Sequence, residues 1–256
     1  MTTSIEADDS PHRPLATIRA VLSEAHRRLA AAGVPSPGPD SLVLLCHVLG
    51  VPRTRLNMSD QLSVADRVRY ERLLLRRVSR VPLQHLTGVQ AFRRIDVQVG
   101  PGVFIPRPET ELVTEAGVRE LAAELGTGLP AENEVVAQAA IDALMAWPQS
   151  ERIAVDLCTG SGVIALAMST EALAAEVHAV ELDAVAASWA RLNIEDIDPR
   201  VRLHVADAGN VADGALAHLR GRVAVVASNP PYIPDGASPR DPEVRDHDPS
   251  LALFGG

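Results

Sequence analysis

The chain has 256 residues, a formal net charge of −9, 46% hydrophobic and 22% charged residues, and two cysteines, Cys46 and Cys158. This is the composition of a globular protein with room for one large or two smaller domains, and the acidic balance argues against a broad nucleic-acid surface. Without a CxxC or a Cys/His cluster, neither a disulfide framework nor a structural metal site is expected. The polar start lacks a signal-peptide core, and the longest apolar stretch, 42–51, is too short to span a bilayer; a reducing cytoplasm and no membrane partner are expected.

Residues 1–12 read as a disordered tail. Residues 13–88 read as a small all-helical domain. Leu15, Ile18, Val21, Leu22, Ala25 and Leu29 recur at helical spacing over 15–32. After a Gly/Pro-rich loop, Asp40 or Ser41 is positioned to cap a second helix through Leu49, closed by Gly50. A third helix is predicted over 64–78, ended by Pro82. Eight arginines between Val64 and Arg94 meet only Asp66 and Glu71. A solvated helix face is the favoured reading, a docking patch the other.

Residues 89–110 read as a linker hairpin, in which Ile95, Val97 and Val99 share one face of a strand. Residues 111–256 form the remaining domain. Helices are predicted at 110–125 and 134–147 around a break at 126–130. Beyond Arg152, apolar strand candidates at 153–155, 177–180, 201–205 and 223–227 alternate with helix candidates at 162–175, 184–194 and 211–219. Repeated β-α units imply an α/β fold, with a mostly parallel sheet covered by helices on both faces.

Two turns carry the chemistry. Asp156-Leu157-Cys158-Thr159-Gly160-Ser161-Gly162 follows the first strand of the series. Gly160 and Gly162 let the backbone approach a ligand, and the helix beginning near Ser161 offers a partly positive N-terminus to a carboxylate. Asp156 is predicted to accept a hydrogen bond from a ligand ammonium. Glu181, ending the next strand, stands about twenty residues on, where an acid binds a ribose diol; Asp183 is its competitor. Asp207, after the third strand, is a weaker candidate for an adenine contact, since Asp in such loops often only caps a turn.

Asn229-Pro230-Pro231-Tyr232 closes the fourth strand. An amide nitrogen is a poor nucleophile because its lone pair is delocalised. The Asn229 side-chain oxygen and the Pro230 carbonyl can accept both hydrogens of a planar NH2 group, and Tyr232 can stack on it. Prolines stiffen the turn and present carbonyls. The two turns together indicate methyl transfer from S-adenosylmethionine to an amide or amino nitrogen.

These residues resemble the protein-(glutamine-N5) methyltransferases, the HemK or release factor glutamine methyltransferase family. The resemblance includes Phe104-Ile105-Pro106-Arg107-Pro108-Glu109-Thr110-Glu111, which matches the family's interdomain segment, as well as 80–88 and 243–256. It implies a class I (Rossmann-like) methyltransferase domain behind a substrate-docking helical domain. It also implies S-adenosyl-L-methionine held by Asp156, Cys158, Thr159, Gly160, Ser161, Gly162, Glu181, Asp207, Ala208 and Asn229. Catalysis is then expected at Asn229, Pro230, Pro231 and Tyr232, with Phe104 lining the methyl-transfer pocket. The implied substrate is the Gly-Gly-Gln glutamine of a peptide chain release factor.

The chain departs from that pattern where Cys158 replaces a glycine, where 124–149 is long, and at Gly256, where the family pattern continues through further strands. A divergent, C-terminally truncated paralogue is the corresponding expectation, its isolated chain poorly soluble, associating through an open sheet edge, or much weaker in cofactor affinity. The alternatives are a nucleic-acid adenine-N6 methyltransferase, disfavoured by the acidic balance, and an inactive binding protein.

Overall fold

The computed structural model describes residues 16–106 and 132–255. The expected tail, the helix predicted at 110–125, and Arg107 to Glu111 lie outside the described residues. The chain divides into two compact units, Met1–Thr87 and Gly88–Gly256.

In the first unit, α1 (Ile18–Ala31) begins at Thr17, whose Oγ1 accepts the Ala20 amide hydrogen at 3.3 Å. Its buried residues Ile18, Val21, Ala25 and Leu29 fall at helical steps along one face. Helix α2 (Pro37–Leu49) starts earlier than the expected Asp40. Pro37 takes the first turn, where a missing N–H costs nothing. Gly50 ends the helix in the left-handed conformation at φ 64.

Helix α3 (Val64–Val78) has its predicted bounds, and Ser63 caps it through the Asp66 amide at 3.1 Å. A short α4 (Leu83–Thr87) follows Pro82. Asp40, not a cap, lies buried within α2 and accepts from Arg77 Nε at 2.7 Å. Arg77 also donates to the Val81 carbonyl at 3.1 Å, and the Tyr70 hydroxyl donates to Ser41 O at 3.0 Å. These bonds satisfy polar groups among buried Leu29, Leu44, Leu45 and Leu74. Each such leucine is worth about 1.5–3 kcal/mol relative to exposure.

The second unit opens with a hairpin, β1 (Val89–Phe92) antiparallel to β2 (Ile95–Gln98), turned at Arg93 with φ 52. Helix α5 (Glu132–Met145) follows in the described residues. Four strands then form one parallel sheet: β3 (Ile153–Leu157), β4 (Glu176–Glu181), β5 (Arg202–Val205) and β6 (Val225–Ser228), in the order β5-β4-β3-β6. Helix α6 (Val163–Glu171) joins β3 to β4, and α7 (Ala184–Ile197) joins β4 to β5. Short helices α8 (Pro242–His247) and α9 (Ser250–Leu253) close the described chain.

Strand alternation splits the core. Ala154, Val177 and Ala179 pack with apolar residues of α5, α6 and α7, whereas Ile153, Val155 and Val180 pack with Val211, Leu216 and Leu219. The second face therefore differs from expectation. The helix predicted at 211–219 is a series of turns ending in one 3-10 turn, Ala217–Leu219. Gly214 sits in this stretch, and Leu216 N donates to Val211 O instead of continuing a helical ladder. On the same strands His178 is wholly buried, with Nδ1 2.9 Å from His204 Nε2.

A partly buried polar clamp fixes α5. In the hairpin turn, Arg93 donates from Nε and Nη2 to the two carboxylate oxygens of Glu171 at 2.7 and 2.8 Å, and from Nη2 to Gln138 Oε1 at 2.7 Å. The bidentate bond keeps the Glu171 carboxyl below its ordinary range.

Candidate active site

A cavity of about 430 Å³ opens where β3, β4, β5 and β6 end, and each strand contributes its following turn to the wall. This is the side on which open parallel sheets bind ligands, because the helices there begin with unpaired backbone donors.

From β3 come Cys158, Thr159, Gly160 and Ser161. Gly160 has φ 58, with no atom within 4 Å of where a Cβ would stand, so its backbone faces open space. Helix α6 starts at Val163, after Gly162 at φ 87, two residues later than expected. Asp156 and Gly162 are not on the wall among the described residues. Asp156 is wholly buried behind the loop. Its Oδ2 accepts from Thr159 Oγ1 and from Ala165 N at 3.1 Å, so it pins the loop and caps an amide of α6. Oδ2 therefore supports the loop, while Oδ1 is buried with no partner among the described residues. Burial pushes its carboxyl up to about 7, against the lowering effect of those two bonds.

From β4 comes Glu181, nearly buried, with Oε2 accepting from Gly160 N at 2.8 Å and Oε1 from Asp183 N at 2.9 Å. Asp183, its sequence competitor, spends Oδ1 capping α7 through Val185 N and Ala186 N at 2.7 and 2.8 Å. From β5 come Asp207 and Ala208. Asp207 is exposed and also caps its own turn, accepting from Gly209 N at 2.8 Å.

From β6 come Asn229, Pro230, Pro231 and the half-exposed Tyr232. The turn is backed by the end of the described chain. Ile233 N donates to Leu253 O at 2.9 Å, Gly255 N donates to Ile233 O at 3.1 Å, and a Cβ on Gly255 would lie 2.4 Å from the Pro231 carbonyl. Phe104 adds an aromatic wall.

The residues fit an adenosylmethionine-type ligand. Ser161 Oγ is buried with no hydrogen-bond partner among the described residues and lies on the cavity wall. Each Glu181 oxygen keeps a lone pair beyond its single backbone bond, as a diol requires. Burial, aided by the charge of Glu181, raises the Cys158 thiol, so it stands in the wall uncharged. Among the described residues no group of three or more His, Cys, Asp or Glu is arranged to hold a metal, and no helix is long and apolar enough to cross a membrane.

The sequence reading missed Asn133, a buried wall residue in the first turn of α5, whose Oδ1 accepts from Asn229 Nδ2 at 3.0 Å. A signal was present. Glu132-Asn133-Glu134-Val135-Val136 repeats the Glu-x-Glu-apolar-Val pattern of Glu109-Thr110-Glu111-Leu112-Val113.

Residues 20–88 match the family model described as the PrmC N-terminal domain, and residues 137–240 match the methyltransferase small domain. The chain is 44% identical over 241 residues to a release factor glutamine methyltransferase of Streptomyces coelicolor, covering 93% of this chain and 74% of that protein. It is 41% identical over 239 residues to the protein of that name from Mycolicibacterium smegmatis, covering 93% and 74%. For the one from Bifidobacterium longum the identity is 37% over 248 residues, covering 92% and 76%.

Proposed function

The chain belongs to the release factor glutamine methyltransferase family, and from that premise we propose that it methylates the side-chain amide nitrogen, N5, of the Gly-Gly-Gln glutamine of a peptide chain release factor. The observation that carries this reading is that the Asn229–Tyr232 turn shares one cavity with the glycine-rich loop and Glu181. When bound there, S-adenosylmethionine supplies a methyl group on a positively charged sulfur, which leaves as a neutral thioether. Glu181 holds the ribose hydroxyls, Ser161 and the backbone at Gly160 receive the amino-acid end, and Asp207 and Ala208 border the adenine.

The protein's part at the acceptor is orientation. Asn229 Oδ1 and the Pro230 carbonyl accept the two amide hydrogens. This fixes the nitrogen and raises its electron density, while Tyr232 and Phe104 cover the planar group and keep water out. Positioning of this kind supplies up to about 7–11 kcal/mol of a barrier. Attack leaves the positive charge on the methylated amide, and this acidic cation loses one N–H proton to solvent as the product leaves the cavity, so no side chain acts as base. The helical unit is the docking element in this reading, and the release factor places the reaction in the cytoplasm. Identity across 93% of the chain favours this over adenine-N6 methylation.

The test is labelling with tritiated S-adenosylmethionine. Label is expected in a release factor carrying Gly-Gly-Gln and not in its Gln→Glu variant, which lacks the two hydrogens the turn reads. Label in DNA with none in the protein would overturn the reading.

A further inference from the structure

We propose that Asn133 is a positioning residue for methyl transfer, setting which end of the Asn229 amide faces the acceptor; this rests on the acceptor reading given above. An asparagine side chain offers an oxygen at one edge and two N–H donors at the other, and the two edges have nearly the same shape. A site that must accept a hydrogen from a glutamine amide fails if the Asn229 amide turns over, because two donors then confront each other. Asn133 prevents this. Its Oδ1 takes a hydrogen from Asn229 Nδ2 at 3.0 Å, and Asn229 Oδ1 is left for the acceptor.

Asn133 is built to hold that place. It is buried, and it stands in the first turn of a fourteen-residue helix whose Ala137, Ala140, Ile141 and Leu144 are buried in the core. One turn further along the same helix, Gln138 is fastened to Arg93, which is itself bonded to both oxygens of Glu171 on α6. The orienting oxygen therefore sits on a rigid element and not on a loop. Asn229, at the end of β6, meets it across a separation of 96 residues in sequence.

The experiment is a double-mutant cycle on the full chain, read as kcat, KM for the release factor and adenosylmethionine affinity. Asn133→Leu, which keeps bulk but offers no acceptor, is expected to lower kcat on the order of 10- to 100-fold with cofactor affinity within about threefold, since small misplacements cost this much. Asn133→Asp keeps an oxygen acceptor and is expected to retain kcat within about fivefold, whereas a role as donor to Asn229 would make it as poor as the leucine variant. Because Asn133 acts through Asn229, Asn133→Leu is expected to add nothing to Asn229→Ala. Asn133→Ala replaces the leucine variant if the latter does not fold.

An unchanged kcat in Asn133→Leu, equal losses in Asn133→Asp and Asn133→Leu, or additive losses in the double variant would each overturn the proposal. A wild type that labels a different acceptor would overturn the release-factor reading alone, with the cycle then measured on that acceptor. A wild type that labels nothing overturns both.

Discussion

Glu181 Oε2 accepts the amide hydrogen of Gly160 at 2.8 Å, while Oε1 of the same carboxylate accepts from Asp183 N at 2.9 Å. One side chain thus joins the end of β4 to the loop after β3 and to the start of α7. The carboxylate is oriented before any ligand arrives, so little ordering remains to oppose binding. Glu181→Ala removes the loop contact together with the diol acceptors. The dissociation constant for S-adenosylmethionine is expected to rise on the order of 100-fold, about 3 kcal/mol, the scale of charge-assisted hydrogen bonds. Calorimetric titration giving wild-type affinity would remove Glu181 from the cofactor site.

Asn229→Ala separates the two halves of the cavity. Turnover is expected to fall on the order of 10²- to 10³-fold, the usual consequence of deleting one preorganised polar group at a reacting centre. Affinity for S-adenosylmethionine stays within about threefold, because the Asn229 oxygen serves the acceptor. Parallel losses of rate and affinity would assign Asn229 to the cofactor.

Cys158 has φ 58, the left-handed region that costs a side-chain-bearing residue roughly 1–2 kcal/mol. The family resemblance expects glycine here. Glycine removes the strain but adds unfolded-state freedom worth roughly 0.5–1 kcal/mol. Cys158→Gly is therefore expected to stabilise the second unit by up to about 1 kcal/mol. A lower denaturation midpoint in urea would show that thiol packing outweighs the strain.

Asp156 gives stability a pH dependence of definite sign. Its carboxyl is raised by burial to about 7, above the unfolded value of about 3.9. Between those values the native state binds more protons than the unfolded chain, so this group lowers stability as pH rises from about 4 to about 7. His178 and His204 act oppositely. Burial holds both below their ordinary value, so they stay neutral in the fold and reduce stability as pH falls below about 6.5. Asp156→Asn leaves the histidine contribution intact. The stability of the variant relative to wild type should thus increase between pH 5 and pH 7.5 in urea unfolding. A difference that does not change with pH would mean Asp156 is not shifted by its surroundings.

The sequence exposed the elements whose signals are local. The apolar period of α3 and Pro82 marked that helix, and the apolar runs marked the parallel strands, although β6 is covered less than its apolar run suggested, with Val226 61% exposed. Asn229–Tyr232 and Glu181 were legible because each ends a strand. The loop-pinning bonds of Asp156 were not legible because they depend on where Thr159 and Ala165 fall after the turn. The expected helix at 211–219 failed because its apolar residues match helical spacing, while Gly214 and the Val211–Leu216 bond favour turns. Asn133 escaped notice because its meaning lies in a contact 96 residues away, and the local repeat of the Glu-x-Glu pattern around it does not say which residue it meets.

The bridge between Ile233 and Phe254 makes the stretch between them a closed excursion that leaves the acceptor turn and returns to it. The entropy of closing a flexible loop grows only logarithmically, about 0.6 kcal/mol for each doubling of length. Insertions among exposed Asp235, Gly236, Ala237 and Ser238 would thus cost little and leave the prolines where they are. The tip of the excursion can therefore vary in length while the bridge keeps its two ends, and the cavity wall formed by Pro249, Leu251 and Leu253, beside the acceptor turn.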